Sequence, residues 1–372
     1  MIGSFAAALL VASVAAAPAA RAAQAKDPEA PAHTGFTVTP PSGAYVMGFH
    51  TCSSDCENPV GHTVRLVQSQ DGVVWTDVVG WNPLSGSVPD VIRRGNTLYV
   101  IGAGLTRIDM TTGKATADFF KVKKADGKSA LARDVSFAGQ LSDGRFVVAY
   151  VPPMQDVVGA AAIPVQLAVE DVGSNGSTYT FTGTAISIGS TSLPVPGQPT
   201  DPDIFFNGTQ WVLYVSVGAN VVSFTSSSIS GPYDTASATV VSRNAGGVPA
   251  GVQSDGGAMT FVNSGPTRDS LVIQRAVSAT GTTPLPSSAF TTVLTGAAYG
   301  ATTAESPGIA RNTPGIECGT GCSGTTTTTT TTTPDKAGRP GSRCTTADKQ
   351  GTWKGTLMVC KKVKGKLVWT RA

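Results

Sequence analysis

The sequence predicts an all-β fold, a five-bladed β-propeller closed by its N- and C-terminal strands, and three observations carry that expectation. The first is composition. Of 372 residues only 14% are charged and 41% are hydrophobic, with 43 glycines and 24 prolines, a balance that favours strands joined by tight turns over helices. The second is an internal repeat. "VPDVIRRGNTLYVIG" from Val88 and "DPDIFFNGTQWVLYVS" from Asp201 both read x-Pro-Asp, two β-formers, two variable residues, Gly and a second apolar run. That is a strand, a turn at Gly95 or Gly208, and a returning strand. The third is the number of weaker copies, at "RDVSFAGQ" from Arg133, "SDGGAMTF" from Ser254 and "ESPGIARN" from Glu305. With Asp90, Asp134, Asp203, Asp255 and Glu305 as markers, successive spacings are 44, 69, 52 and 50; five hairpins imply five four-stranded sheets.

The ends of this body complement each other. The fifth copy is too short to form a sheet, whereas "GAYVMGFHT" and "HTVRLVQSQDGVVWTDVV" near the start supply strands without an inner partner. Pairing the last strand with these first ones closes the ring and removes the open edges that invite aggregation. The propeller is therefore expected over 35–316, after a signal peptide over 1–23 and a flexible segment over 24–34. The signal peptide is read from a short apolar run that ends in small residues around Ala20–Ala23. It implies a secreted or envelope-associated protein.

The six cysteines fall into the local pairs Cys52/Cys56, Cys318/Cys322 and Cys344/Cys360, for which disulfides are the default in an exported chain. His50 and His62 flank the first pair, but a zinc site recruits more ligands at tighter spacing. Nine consecutive threonines, Thr325–Thr333, mark 317–341 as a linker that can bury no apolar surface. Beyond it, 342–372 alternates apolar and polar residues around Leu357, Val359, Val363, Leu367 and Trp369, a β-hairpin clipped by Cys344–Cys360. From Asp335 onward ten Lys/Arg face two Asp/Glu, while the rest of the chain is net negative. Such a cationic tail is drawn to an anionic cell-wall polymer.

Three stretches of the body also carry a resemblance. "SQDGVVW", Ser69–Trp75, "SISGPYD", Ser228–Asp234, and "DPDIFF" from Asp201 resemble, in order, turns and strands of glycoside hydrolase family 43 and its five-bladed relatives. In the first, Asp71 is expected to cap turn amides and Trp75 to pack between blades. The C-terminal unit is similar to a short Cys-containing basic module of exported actinobacterial proteins.

Glycoside cleavage needs one carboxyl to protonate the leaving oxygen and another to activate water. A propeller supplies both from inner strands that converge on its axis. The resemblance implies an inverting hydrolase of arabinose- or xylose-containing polysaccharide. Asp201 of the Asp-Pro step would be the base, Asp255 would hold and tune the acid, and Glu305 of Glu305-Ser306-Pro307 would be that acid; Asp203 is the alternative base. Asp90 and Asp134, on other inner strands, join Trp81 and Tyr299 as substrate-binding candidates. No catalytic metal or cofactor is expected, with a structural calcium at the axis as the one ion to look for.

Other chemistries find little in the sequence. With only His33, His50 and His62, no Gly-x-Ser-x-Gly elbow, no phosphate-cradling loop and no nucleic-acid motif, nucleophilic hydrolases, nucleotide enzymes and nucleic-acid binders are disfavoured. The competing expectation is a non-catalytic envelope propeller that binds glycan or protein, its acids serving only as turn caps.

Overall fold

The computed structural model describes residues 35–189, 193–315, 339–344, 350–353, 356–363 and 365–371. The expected signal peptide, the 24–34 segment, the Cys318/Cys322 pair and the threonine run lie outside the described residues. The chain divides into two compact units, Met1–Cys322 and Ser323–Ala372.

The first unit is a five-bladed propeller. Blade 1 runs outward through Val91–Arg94, Thr97–Ile101, Leu105–Asp109 and Ala115–Asp118. Blade 2 runs through Arg133–Gln140, Phe146–Val151, Ala162–Glu170 and Thr178–Gly189, with Lys121–Lys123 added in parallel at its rim. Blade 3 is Thr200–Phe206, Trp211–Val217, Asn220–Ser226 and Asp234–Ser242, and blade 4 is Gly247–Ser254, Gly257–Ser264, Val272–Ser278 and Thr291–Thr295. Blade 5 takes its inner strand, Thr303–Arg311, from the end of the propeller and its next strands, Tyr45–Cys52, His62–Ser69 and Thr76–Asp77, from the start. This is the ring closure expected from the unpartnered ends.

There is no single core. Instead five apolar clusters fill the five blade interfaces, one for each pair of neighbours. Successive side chains of a strand point to opposite faces, and here both faces are covered. In Phe146–Val151, Phe146, Val148 and Tyr150 pack toward blade 1, whereas Val147 and Ala149 pack toward blade 3. In Trp211–Val217, Trp211, Leu213 and Val215 meet blade 2, and Val212 and Tyr214 meet blade 4. Burial on both sides is why "FVVAYV" and "WVLYVSV" read as continuous apolar runs rather than alternating ones.

The turn from Ser69 to Trp75 behaves as its chemistry requires. Asp71 accepts from Val73 N at 2.8 Å and Val74 N at 3.0 Å, and Trp75 packs edge-on against Phe261 of blade 4 at 6.0 Å. Cys52 and Cys56 form a disulfide, so this pair holds no metal.

The second unit is a three-stranded antiparallel sheet, Gln350–Trp353, Thr356–Val363 and Lys366–Arg371. The expected hairpin thus gains a third strand. Cys344–Cys360 is a disulfide, Met358, Cys360 and Trp369 are buried, and Lys361, Lys362 and Lys366 are exposed around the last turn.

Candidate active site

Every inner strand enters the ring through the same backbone device. Val88, Asp134, Asp201, Val248 and Ser306 take φ values of 48, 51, 47, 47 and 54°, and four of the five precede a proline. Pairing to the second strand shifts across these residues, between Arg133 and Ser136, Thr200 and Asp203, and Gly247 and Ala250. Bulges of this kind re-aim a side chain out of the ladder. A left-handed conformation is unfavourable for any residue with a Cβ, and most of all for a β-branched one such as Val88 or Val248.

In blades 1 to 3 the residue two positions on ties this turn to the next blade. Asp90 Oδ2 accepts from Phe137 N of blade 2 at 2.6 Å, and its Oδ1 accepts from Val91 N at 2.7 Å. Ser136 Oγ donates to Pro202 O of blade 3 at 2.6 Å, and Asp203 Oδ2 accepts from Gly251 N of blade 4 at 2.8 Å. Asn263 of blade 4 accepts from Ser306 N of blade 5 at 2.8 Å. At the last interface Gly308 is so close to blade 1 that a Cβ there would fall on Asp90 Oδ1. One polar or close-packed link therefore joins each blade to the next around the axis. The triplets line a pocket of about 20 Å³, room for about one water. Burial raises the carboxyls of both Asp90 and Asp203 above the ordinary range, and the charge of Asp90 raises Asp203 further.

The first residues of the triplets have a different environment. Asp134 and Asp201 lie side by side at the mouth: the Asp134 carboxylate accepts from the backbone N–H of Asp201, and Thr200 Oγ1 donates to Asp201 Oδ2 at 2.6 Å. Burial first and the Asp134 charge second push Asp201 up to about 7, against the Thr200 hydrogen bond and the attraction of Arg133 and Arg268. Burial raises Asp134 as well, opposed by Arg133 and the Asp201 amide. Two open depressions reach this pair. One, of about 510 Å³, is lined by Asp134 with Arg133, Lys121 and Phe120; the other, of about 490 Å³, by Asp201 with Asn244, Asn263 and Arg268.

Glu305 precedes the blade 5 triplet by one residue and is 1% exposed. Its Oε2 lies 3.8 Å from Arg268 Nη1, and it sits opposite His50 across the strand pair. The charge of Arg268 also acts on Asp201 and on His50.

Asp255 does not join them. It occupies the tight turn between Ser254 and Gly257 at the far end of the inner strand, is 97% exposed, and lies 3.5 Å from Arg311. The axial residue of blade 4 is Val248, so the neighbour that acts on Asp201 is Asp134 and not Asp255. Trp81 and Tyr299 are likewise away from the mouth. Trp81 packs edge-on against Phe36 at 5.6 Å and donates to Val64 O, whereas Tyr299 packs against Phe49 at 5.3 Å and under the Arg65 guanidinium at 5.1 Å. Asp90, buried in the ring of links, reaches no open surface. Sequence reasoning missed Arg133, Arg268 and His50. The signal for the ring itself was the repeated x-Pro step, Val88-Pro89, Asp201-Pro202, Val248-Pro249 and Ser306-Pro307.

The axial lining does not fit a calcium ion. Both Asp90 oxygens and Asp203 Oδ2 already accept backbone amides, and calcium takes six to eight oxygen ligands. Among the described residues no three His, Cys, Asp or Glu side chains group as metal ligands do.

No protein-family model matches the chain, and no curated protein does. Among solved structures it is similar to a thermostable family-43 glycoside hydrolase, with 13% identity over 68% of this chain and 96% of that one, at a TM-score of 0.43. It is also similar to an exo-β-1,3-galactanase from Clostridium thermocellum, with 12% identity over 67% of this chain and 60% of the other at a TM-score of 0.44. A third is an α-L-arabinofuranosidase from Podospora anserina, with 9% identity over 55% and 66% and a TM-score of 0.39.

Proposed function

We propose that the protein is an exported glycoside hydrolase whose site is the axial mouth, acting on arabinose- or xylose-type linkages with inversion. The observation that carries this reading is the Asp134–Asp201 pair. Two adjacent carboxyls cannot both ionise freely, and a general base works best with its pKa near the operating pH. Asp201, raised to about 7, is therefore the base that takes a proton from the attacking water, and Asp134 is the charge that tunes it. Glu305 protonates the leaving oxygen. The Arg268 guanidinium beside Glu305, half-exposed, would move off it as a sugar enters. The sugar class and the stereochemistry rest on the family resemblance of the sequence. The basic C-terminal unit, with Lys361, Lys362 and Lys366 exposed, holds the enzyme at an anionic cell-wall polymer.

A second reading has one observation in its favour. Arg268 covers a Glu305 that is 1% exposed, as it would in a propeller that binds a glycan without cleaving it. Turnover separates the two. The full chain is screened against aryl arabinofuranosides, aryl xylosides and plant polysaccharides, with Glu305→Gln as control and the anomeric product followed by NMR. Hydrolysis that falls at least about a hundredfold in the variant is expected. Glycan binding with no turnover in the wild type would leave the binding propeller standing.

A further inference from the structure

The geometry points to His50 as the positioning residue for Glu305: its Nε2–H is the donor that orients Glu305 through Oε1. The inference deepens the catalytic reading, because it rests on Glu305 as the acid.

Among the buried polar atoms at the mouth that have no partner, which include Asn263 Nδ2, two complement each other across one strand pair. His50 Nε2 and Glu305 Oε1 both lack a hydrogen bond, and both residues are 1% exposed. Orphaned buried groups are rare and costly. These two stand directly opposite across the antiparallel pair formed by Tyr45–Cys52 and Thr303–Arg311, where side chains on one face lie about 5 Å apart at Cβ. Catalytic hydrogen bonds commonly tighten in the complex with substrate.

Which atom of His50 carries the proton is settled by its other nitrogen. Val88 N–H donates to His50 Nδ1 at 3.4 Å, so Nδ1 is an acceptor and the hydrogen resides on Nε2. Burial, reinforced by His62 and Arg268, pushes His50 down to about 3, so the ring stays neutral and offers one N–H. The groups facing it from neighbouring elements are His62 of His62–Ser69, Arg268 of the Arg268–Ser270 turn and Glu305 of the inner strand.

The ring is also held in place. It stacks on His62 with centroids 4.0 Å apart and planes 12° from parallel. His62 is fixed at both nitrogens: Nε2 lies 3.1 Å from Cys56 O and Nδ1 lies 2.8 Å from Ser87 Oγ. The carbonyl can only accept, so His62 Nε2 donates to it. Cys56 is tied back by its disulfide to Cys52, two residues beyond His50 on the same strand. A donor at Oε1 leaves Oε2 as the oxygen able to carry a transferable proton, on the side where Arg268 lies.

The test reads Glu305 itself and needs no turnover. The Glu305 carboxyl-carbon resonance is read by NMR in the full chain at one pH, wild type against His50→Phe and His50→Gln. Loss of the donor should move that resonance, and glutamine, which keeps an N–H donor, should restore most of its position. An identical resonance in all three proteins overturns the proposal. If His50→Phe fails to fold, long-range proton–nitrogen spectra of the wild type decide. A neutral Nε2–H tautomer retained from pH 8 to pH 4 is expected, and an Nδ1–H tautomer or an imidazolium in that range overturns it. If the wild type hydrolyses a glycan, His50→Phe should lower kcat at least about tenfold with KM within about twofold, the signature of an interaction made in the transition state. If it hydrolyses none, the carboxyl resonance still reads the His50–Glu305 contact, so the failure of the catalytic reading and the failure of this one remain distinct.

Discussion

Blade 1 and blade 3 enter the ring with nearly the same words, Val88-Pro89-Asp90 and Asp201-Pro202-Asp203. Both first residues are left-handed, at φ 48 and 47°. Both third residues are buried carboxyls that accept a backbone amide of the next blade. The one difference is Val against Asp at the mouth. Because the turn forms equally well with either, the first position is not needed by the fold and is free for chemistry, whereas the third position belongs to the ring.

That contrast is broken or sharpened by substitution, and the largest effect is expected at the first position. Asp201→Asn should lower glycoside turnover by about a hundred- to ten-thousandfold, the usual worth of a positioned general base, without lowering Tm. The matching change in blade 1, Val88→Asn, should leave turnover within about twofold; a hundredfold loss there would mean that the turn and not the carboxyl is being read. At the third position the effect should appear in stability. Asp203→Ala strips Gly251 N–H of its acceptor, which costs about 1–3 kcal/mol, or several degrees of Tm by thermal melting. Asp203→Asn, which keeps an acceptor and removes a buried charge, should cost much less.

The pH dependence separates the two positions further. Asp90, Asp134, Asp201 and Asp203 all have raised folded pKa values, so the folded state holds protons that the unfolded chain has released. The contribution of Asp90 and Asp201 is complete below the unfolded value of 3.8 and is lost as pH rises through about 7, and that of Asp134 and Asp203, also raised, is lost in the same direction. His50, lowered to about 3, acts in the opposite sense below its ordinary 6.5, and the lowered carboxyls of Asp71, Asp109, Asp143 and Asp171 do so around and below their ordinary 3.8, at the acid edge of this window. Tm should therefore fall between about pH 4 and pH 7, and the slope should flatten in Asp90→Asn and Asp203→Asn. A Tm that rises across this window contradicts the assignment. Activity should run the other way, with kcat/KM climbing through about pH 7 as Asp201 ionises. Asp134→Asn removes the negative neighbour, makes that ionisation easier, and should move the limb to lower pH.

The smallest expected effect is backbone strain. Val88→Gly relieves a left-handed valine, worth about 1–2 kcal/mol, but loses side-chain packing and adds chain entropy of about 0.5–1 kcal/mol. The net shift should stay within about 1 kcal/mol.

How much of this was legible follows from which signals are local. The propeller was, because strands buried on both faces leave continuous apolar runs and because the ends of the body lacked partners for each other. The site was legible only in part. Acidic residues look like equivalent markers in the sequence, yet Asp90 and Asp203 sit at the third position of the turn, Asp134 at the first, Glu305 one residue before it, and Asp255 at the opposite end of its strand. The proline step held the true register, and Val248-Pro249 in "GVPAG" would have shown that blade 4 brings no acid to the mouth. Trp81 and Tyr299 misled for a related reason: an aromatic ring at a loop is as useful for sealing a blade edge as for stacking on a sugar. His50 was visible only as a flank of a cysteine pair. Its place opposite Glu305 depends on pairing residues more than 250 positions apart.

The most direct measurement is the rate of glycoside hydrolysis, with Tm recorded alongside, for the full chain and for Asp201→Asn and Asp203→Asn. The expected result is turnover in the wild type, a fall of at least about a hundredfold in Asp201→Asn with Tm held, and turnover largely kept in Asp203→Asn. Equal turnover in the wild type and Asp201→Asn, or a loss in Asp203→Asn alone, would contradict the division of roles between the two aspartates.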